Sequence, residues 1–374
     1  MSDVQRRVQE TIEGLVESGA ERGVQVAVYH HGRQVVDAVA GVADPATGRP
    51  VDSGTPFYTY SMVKGAAATL AHLLAERGLF GYDTPVAELW PEFAAHGKDK
   101  VTVRHVLNHT AGVPGIPLDT TVEDLCDWHA MCAAIAASEP WWEPGTKAGY
   151  HAYTFGYVLG EVMRRASGKG VAQLLHEEIA VPLGIVDEIY FGMPSDQHAR
   201  LARLEDAPPP EGEAGADHEL PADHPMLRSA PTATFPTAAL GNRTDVLAAD
   251  IPAGGKTTAR AMARLYAATL GEVDGVRLLT PERLSAATDV SFSGVDEIFD
   301  MPSTWGLGYA IGGVSGELTE TGRAVYGIGG AGGTFAYGDR AHGIGFALAK
   351  NRLTHDFAAA GQVIAVVEEE LARP

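Results

Sequence analysis

A serine and a lysine three residues apart stand where one stretch of the sequence changes character. Residues 58–78 begin with aromatic and β-favouring side chains and continue as an alanine- and leucine-rich segment, with Ser61 and Lys64 at the change. A serine is a common helix N-cap, and a lysine beside it could simply be solvated. The helix macrodipole, however, disfavours a cation in the first turn by about 0.3–1 kcal/mol, so the lysine needs another reason to be there.

The second interpretation of Ser61 and Lys64 is nucleophilic chemistry. Residues three apart lie on one face of a helix, so the two side chains are close enough to hydrogen-bond. A serine hydroxyl is a poor nucleophile until a base takes its proton. A lysine can be that base when burial and nearby positive charge lower its pKa from about 10.4. Because Ser-x-x-Lys also occurs by chance, other segments have to support this interpretation.

Two further segments carry groups that suit such a site. The segment PGTKAGY, residues 144–150, places Tyr150 after a Pro-Gly turn and just before a predicted helix. Residues 326–352 contain closely spaced glycines, which let a backbone approach a ligand, and then an alternation typical of paired strands. Taken singly, Tyr150 is a packed aromatic residue and the glycine-rich segment is an ordinary hairpin. Together they predict a phenol, and an edge strand with free N–H groups, near the serine.

The two ends of the chain predict one antiparallel sheet. Residues 24–41 have the pattern of a hairpin, residues 344–351 that of a strand, and residues 357–373 that of a closing helix. We therefore predict an α/β (α+β) fold, in which a sheet built from both termini is flanked by helices and joined to a mostly helical region. The predicted division is 1–60 with 255–374 for the sheet region, and 61–254 for the helical region.

The middle of the chain is predicted to be helical, with one long irregular segment. Residues 205–225 are rich in proline and acidic side chains, so we expect a flexible acidic loop or flap in which His218 and His224 are solvated. Glycine and proline punctuation separates the helices on either side. The predicted helices are 61–77, 101–109, 121–137, 153–167, 171–180, and one that follows Thr258 and runs to about Leu270.

Composition excludes several classes of partner. The chain has 28 basic and 48 acidic residues, and 28 − 48 gives a net charge of −20, which repels phosphate backbones and anionic membranes. We therefore expect no nucleic-acid and no membrane partner, but a small-molecule substrate. The first residues repeat their apolar side chains at helical spacing instead of forming a signal-peptide core, which predicts a cytoplasmic location.

Two segments look like cofactor-binding motifs, but each departs from the pattern that binding requires. We therefore expect neither a metal nor another cofactor. Cys126, His129 and Cys132 share one face of a predicted helix but lack a fourth ligand, so we interpret the cysteines as ordinary thiols near a helix surface. The segment DIPAGGKT, residues 250–257, matches a phosphate-binding loop except that Asp250 replaces the first glycine, and its charge would oppose a phosphate.

The combination of these segments resembles the serine β-lactamase and penicillin-binding-protein superfamily, and most of all its class C-like branch of family VIII carboxylesterases. The segments VTVRHVLNHTAGVP (101–114) and GYVLGEVMRRASG (156–168) add to the likeness. The resemblance implies a β-lactamase/transpeptidase-like fold. It also implies that Ser61 attacks an acyl carbonyl, while Lys64 and Tyr150 share the proton transfers in an order left open here.

The same resemblance implies an oxyanion hole and a substrate site. The backbone N–H groups of Ser61 and Ala331 would form the oxyanion hole, Ala331 following the motif Ile328-Gly329-Gly330. Those three residues and Ala152 would line the substrate site. Lys256-Thr257-Thr258 could pose as the family's Lys-Thr-Gly motif, but it lacks the glycine and is predicted to precede a helix instead of lying on a strand. His109 is predicted to support a helix end behind the site.

Two departures from the family pattern indicate the substrate. Relatives that open β-lactams carry an asparagine where this chain has Ala152, and a lysine where it has Ile328. The amide that would hold an acylamino group and the cation that would pair with a carboxylate are therefore both missing. We predict a carboxylesterase for small to medium, mainly neutral esters, with weak β-lactam turnover. The alternatives are an acyltransferase that uses the same acyl-serine, and an inert ligand-binding homologue.

Overall fold

The computed structural model describes residues 2–208, 221, 223–313 and 322–372. Its strands bear out the predicted hairpin and the predicted strand near the C-terminus. The strands are β1 (Gly23–His30), β2 (Arg33–Asp44), β3 (Arg49–Pro50), β4 (Phe57–Tyr58), β5 (Ile189–Tyr190), β6 (Glu205–Asp206), β7 (Lys256–Thr257), β8 (Phe292–Asp296), β9 (Met301–Trp305), β10 (Ala310–Ile311), β11 (Val325–Gly330), β12 (Thr334–Asp339), β13 (Ile344–Lys350) and β14 (Arg352–Leu353).

Most helices fall where the sequence predicts them. The closing helix, for example, was expected over residues 357–373 and is found within that range. The helices are α1 (Asp3–Glu17), α2 (Lys64–Glu76), α3 (Val86–Leu89), α4 (Val103–Leu107), α5 (Val122–Cys126), α6 (Trp128–Ala137), α7 (Thr154–Ser167), α8 (Val171–Leu175), α9 (Val181–Leu183), α10 (Pro225–Ser229), α11 (Ala238–Gly241), α12 (Thr244–Ala248), α13 (Ala259–Leu270), α14 (Pro281–Thr288) and α15 (Ala358–Leu371).

One large antiparallel sheet organises the molecule. Its strand order is β3-β2-β1-β13-β12-β11-β10-β9-β8, so strands from both ends of the chain meet where β1 pairs with β13. The α1 and α15 helices cover one face through an apolar cluster that includes Val8, Val26 and Val363, and α13 packs on the other face. The predicted fold class is therefore confirmed. The division at residues 61 and 255 stays a prediction.

The helix predicted over residues 121–137 is wrong as a single element. The chain forms two helices instead, because the Asp127 carboxylate accepts hydrogen bonds from the backbone N–H groups of His129 and Ala130 and caps a new helix there. Cys126 and Cys132 consequently lie on different helices, and Cys132 is buried instead of lying near the surface. No group of metal-ligating side chains forms within the described ranges.

Other local expectations need correction as well. The helix predicted over residues 171–180 is α-helical only as far as Leu175, the last residue of α8. A π-helical turn begins at His176. Residues 205–225 are not all loop: β6 pairs with β14 because the Glu205 N–H donates to Asn351 O, and α10 begins at Pro225. The rest of the expected flap, residues 209–220 and 222 with His218, lies outside the described residues.

His224 has a specific role, since its ring accepts a hydrogen bond from Met226 N–H at the start of α10. Lys256 and Thr257 do lie on a strand, contrary to expectation, because β7 pairs with both β4 and β5. In the described part of the chain, no helix has both the length and the apolar character needed to cross a bilayer.

Candidate active site

Ser61 lies at a sharp corner between a strand and a helix. After β4 the chain makes a 3₁₀ turn over Tyr60–Val63, and α2 begins only at Lys64, later than the helix predicted from residue 61. Tyr60 has a φ of +47°, a left-handed conformation that non-glycine residues seldom adopt. The Tyr60 hydroxyl donates to Thr237 O at 2.5 Å and helps to hold the turn. Such strained backbone is often found beside functional groups.

Lys64 meets Ser61 across this turn. Its Nζ lies 2.7 Å from Ser61 Oγ and 3.1 Å from Ala253 O. The side chain is fully buried, at 0% exposure, and it makes no ion pair with a carboxylate of the described residues. Burial therefore lowers its pKa well below the usual lysine value. A neutral amine in this position can accept the proton of the serine hydroxyl.

Tyr150 closes the third side of the site. The Lys64 Nζ lies 4.9 Å from the centre of its ring. Burial raises the pKa of the phenol, and the nearby Ser61 side chain offsets this effect only in part. The phenol is therefore protonated at neutral pH. Because burial favours the uncharged form of Lys64, its contact with the ring is that of an amine, not of a full cation.

The end of β11 lies against the corner that carries Ser61. A Cβ on Gly330 would stand 2.0 Å from Thr59 O and 3.1 Å from Met62 N, so only glycine fits there. The Thr334 hydroxyl donates to the same Thr59 O at 3.1 Å and joins β12 to the corner. Ala331 follows Gly330 directly and is half-buried. The structure thus brings the Ala331 segment beside the Ser61 turn, and the oxyanion role of the two N–H groups stays a prediction.

The four residues predicted to line the substrate site are placed differently from one another. Ile328 shares a strand face with Gly330 but is only 3% exposed, so it offers a substrate almost no surface. Gly329 points the other way, since a Cβ there would meet the Phe357 ring at 2.6 Å. Ala152 is half-buried and packs against the main core. Gly330 is the member of this set that contacts the Ser61 corner.

Several residues beside the site were not found from the sequence. Trp305 stacks on Tyr150 with ring centres 6.1 Å apart, and Phe299 packs on it at 5.5 Å. Ala253 contributes only its backbone carbonyl, so its side chain carries no signal. Trp305 and Phe299 belong to the β8–β9 hairpin, whose isolated aromatic residues show no motif. His109 was noticed in the sequence, and its ring lies 5.0 Å from that of Tyr150.

The matching family model agrees with this geometry. The beta-lactamase family model matches residues 8–369, so the chain belongs to the beta-lactamase family. This result confirms the resemblance to the serine β-lactamase and penicillin-binding-protein superfamily that the sequence motifs predicted. It also agrees with the large antiparallel sheet flanked by helices.

Individual relatives indicate which kind of enzyme within the family this chain is similar to. The chain is 36% identical over 343 residues to "Esterase/beta-lactamase LipL" of Mycobacterium tuberculosis, covering 88% of this chain and 77% of the relative. It superposes on the crystal structure of a family VIII carboxylesterase with a TM-score of 0.87 and 31% identity, covering 99% and 98% of the two chains. It is also 27% identical to a monacolin J acid methylbutanoyltransferase of Aspergillus terreus, over 37% and 38% of the two lengths. The protein is a serine hydrolase, and the inert-homologue alternative is set aside.

Proposed function

We propose that the protein is a carboxylesterase that forms an acyl-enzyme on Ser61 with small to medium, mainly neutral esters. The observation that carries the proposal is the 2.7 Å contact between Ser61 Oγ and the Nζ of the fully buried Lys64. A nucleophile in hydrogen-bond contact with a base whose pKa is lowered is what acyl transfer to serine requires. The names of the LipL relative and of the family VIII structure support an ester as substrate.

The directions of the two pKa shifts favour separate roles for the amine and the phenol. Lys64 is the base for acylation, because its neutral amine takes the proton of Ser61 Oγ as that oxygen bonds to the carbonyl carbon. Tyr150 is the acid, because its phenol is protonated and can donate to the leaving alkoxide as the ester C–O bond breaks. The ammonium of Lys64 then returns its proton to the phenolate, and both groups regain their starting states. The N–H groups of Ser61 and Ala331 stabilise the oxyanion between these steps.

Deacylation uses the same groups in the same sense. A water molecule attacks the acyl carbonyl, Lys64 takes its proton, and the Tyr150 phenol protonates Ser61 Oγ as the bond from that oxygen to the acyl carbon breaks. The Lys64 ammonium then returns its proton to the phenolate. The acid is released, and the serine, amine and phenol return to their resting forms. No step requires a metal or a cofactor.

The surroundings of Tyr150 support a neutral substrate. A recess of about 360 Å³ lies next to Phe299, whose ring packs on that of Tyr150, and residues 295–300 supply most of its lining. Asp296, Glu297 and Asp300 place carboxylates in this lining, and although that of Glu297 pairs with Lys147 at 3.1 Å, the acidic lining would disfavour a substrate with a carboxylate. Ala152 and Ile328 also lack the amide and the cation that hold a β-lactam, so we expect only weak β-lactam turnover. Asp300→Asn should improve turnover of a carboxylate-bearing ester relative to its neutral methyl ester.

Acyl transfer is the second candidate, and the methylbutanoyltransferase relative favours it. The acyl-serine would be the same, but an alcohol or amine would attack it in place of water. Turnover of an ester donor should be compared with and without candidate acceptors. An ester hydrolysed at full rate without any acceptor supports the esterase. Turnover that depends on an acceptor supports the transferase.

Intact-mass measurement after exposure to an alkyl phosphonate tests the covalent step. The phosphonate should add once to the native protein and not at all to Ser61→Ala. Ser293→Ala, which removes an exposed hydroxyl from β8, is the matched control and should be labelled like the native protein. An unlabelled native protein, or labelled Ser61→Ala, would contradict the proposed nucleophile.

A further inference from the structure

Tyr150 is held from both sides by one buried histidine. The N–H of Gly149, the residue before Tyr150, donates to His109 O at 3.1 Å. The N–H of His151, the residue after it, donates to His109 Nδ1 at 3.1 Å. The His109 ring also packs against the Tyr150 ring, with centres 5.0 Å apart. Backbone and side chain of His109 together therefore define where the phenol can stand.

These hydrogen bonds fix the tautomers of both histidines. His109 accepts at Nδ1, so its proton is on Nε2. His151 accepts at Nε2 from Val113 N–H at 3.1 Å, so its proton is on Nδ1, which donates to Gly149 O at 2.6 Å. Both rings must be neutral to make these contacts. Burial lowers the pKa of His151 to about 4 and that of His109 well below its usual value, in agreement with the neutral forms.

His109 is held in a costly arrangement that local structure does not require. Its φ is +61°, in the left-handed region, although it is not a glycine. Its Nε2 is buried and has no hydrogen-bond partner among the described residues. The ring is enclosed by Trp305 at 4.3 Å and Phe155 at 5.1 Å between ring centres. Strain and an unpartnered polar atom beside reacting groups point to a role in function.

We propose that His109, supported by His151, is a positioning residue that holds the Tyr150 phenol where it can protonate the leaving group. The inference rests on the proposed function, because it concerns the acid of that reaction. Displacing a catalytic group by about 1 Å can cost about 10²-fold in rate. A loss of the His109 acceptor should therefore act on kcat, and most strongly on substrates that need an acid.

A matched pair of variants separates positioning from simple folding. In His109→Asn the amide oxygen replaces Nδ1 as acceptor for His151 N–H, and asparagine tolerates a left-handed φ. In His109→Gln the oxygen is displaced to the position of Nε2, although the side chain is equally polar. We expect His109→Asn to keep most of kcat on an alkyl ester and His109→Gln to lose about 10²-fold, with KM little changed in both.

Two further measurements distinguish positioning from a purely structural role. They are the dependence of the rate on the leaving group and the effect of His109→Gln in a Tyr150→Phe background. The p-nitrophenolate leaving group of a p-nitrophenyl ester is stable as an anion and needs no acid. The loss of rate in His109→Gln should therefore be much smaller for this ester than for the alkyl ester. In a Tyr150→Phe background His109→Gln should cause no further loss. His72→Gln is the control, because His72 is equally buried, with contacts of 2.8 Å to the Tyr82 hydroxyl and 2.9 Å to Leu307 O. It should lower the melting temperature and leave the alkyl-to-aryl rate ratio unchanged.

Each outcome decides between the alternatives. Equal activity of folded His109→Asn and His109→Gln would overturn the inference, as would a loss of the same size for both esters. If His109→Gln does not fold, the ratio of alkyl to aryl rates in His151→Gln and His151→Leu makes the same test, because only glutamine can replace the acceptor Nε2. Failure of native Ser61 to react with the phosphonate would instead contradict the proposed function itself.

Discussion

Two lysines lie fully buried on either side of the corner that carries Ser61. Lys64 begins α2, directly after the corner, and Lys256 lies on β7, which pairs with Tyr58 of β4 just before it. Burial lowers the pKa of both amines, that of Lys256 to about 7. Judged by burial and pKa alone, each would be a candidate base. Perturbed pKa values do cluster at functional sites, but structural groups show them as well.

The partners of the two amines separate them. The Nζ of Lys256 donates to Phe191 O at 2.7 Å and to Val246 O at 3.0 Å, and both of these groups can only accept. The Nζ of Lys64 contacts one carbonyl and one hydroxyl, and the hydroxyl can give up a proton. Lys256 therefore ties three segments together, whereas Lys64 can do chemistry. The comparison teaches that the neighbour of a buried amine, more than its pKa, decides its role.

Replacing each lysine by methionine should give the largest difference in activity between the two sites. Lys64→Met removes the base and should lower kcat/KM for an alkyl ester by about 10²–10⁴-fold, the usual contribution of general base catalysis. Lys256→Met should leave kcat/KM close to that of the native protein. Steady-state kinetics on folded variants, checked by circular dichroism, measures both. Equal losses in the two variants would remove the distinction between the two lysines.

Tyr150→Phe tests whether the phenol beside Lys64 is the acid that protonates the leaving group. Without the phenol the leaving alkoxide is not protonated, so turnover of an alkyl ester should fall by about 10²-fold. A p-nitrophenyl ester should be affected much less, because its leaving group is stable as an anion. Rates for the two esters should be measured under the same conditions. Near-native alkyl ester turnover in Tyr150→Phe would show that another group is the acid.

A smaller effect than the losses of activity is the pH dependence of stability that Lys256 contributes. Its pKa is about 7 in the folded chain and close to the ordinary value of 10.5 when unfolded. The unfolded chain therefore binds more protons between these values, so this group makes the free energy of unfolding rise with pH from about 7 to about 10.5. Urea unfolding at several pH values should show part of that rise missing in Lys256→Met. Identical slopes in both proteins would mean that Lys256 is not neutral when folded.

The same substitution has a cost that does not depend on pH. Methionine leaves the carbonyls of Phe191 and Val246 without the donor that they have now, and this should destabilise the fold by about 1–3 kcal/mol. The midpoint of unfolding at pH 7 measures this effect. A more stable variant would mean that burial of the amine costs more than its two hydrogen bonds contribute.

Much of the fold was predictable because its signals are local. The hairpin of β1 and β2 and the helix α15 follow from alternation and helical periodicity, which depend only on near neighbours. The errors also have local causes. The Asp127 carboxylate ended one predicted helix by capping the next, and β7 was missed because a strand of two residues has no periodicity to detect. Its pairing with β4 and β5 comes entirely from distant parts of the chain.

By itself, the sequence determined the Ser61–Lys64 pair, because residues three apart on a helical turn face the same way wherever the helix lies. Only the tertiary structure decided that Tyr150 stands beside that pair, that Gly330 meets Thr59 while Gly329 faces Phe357, and that His109 holds the phenol. These contacts join segments tens to hundreds of residues apart. Their geometry is set by how the sheet and helices pack, and no local spacing encodes it.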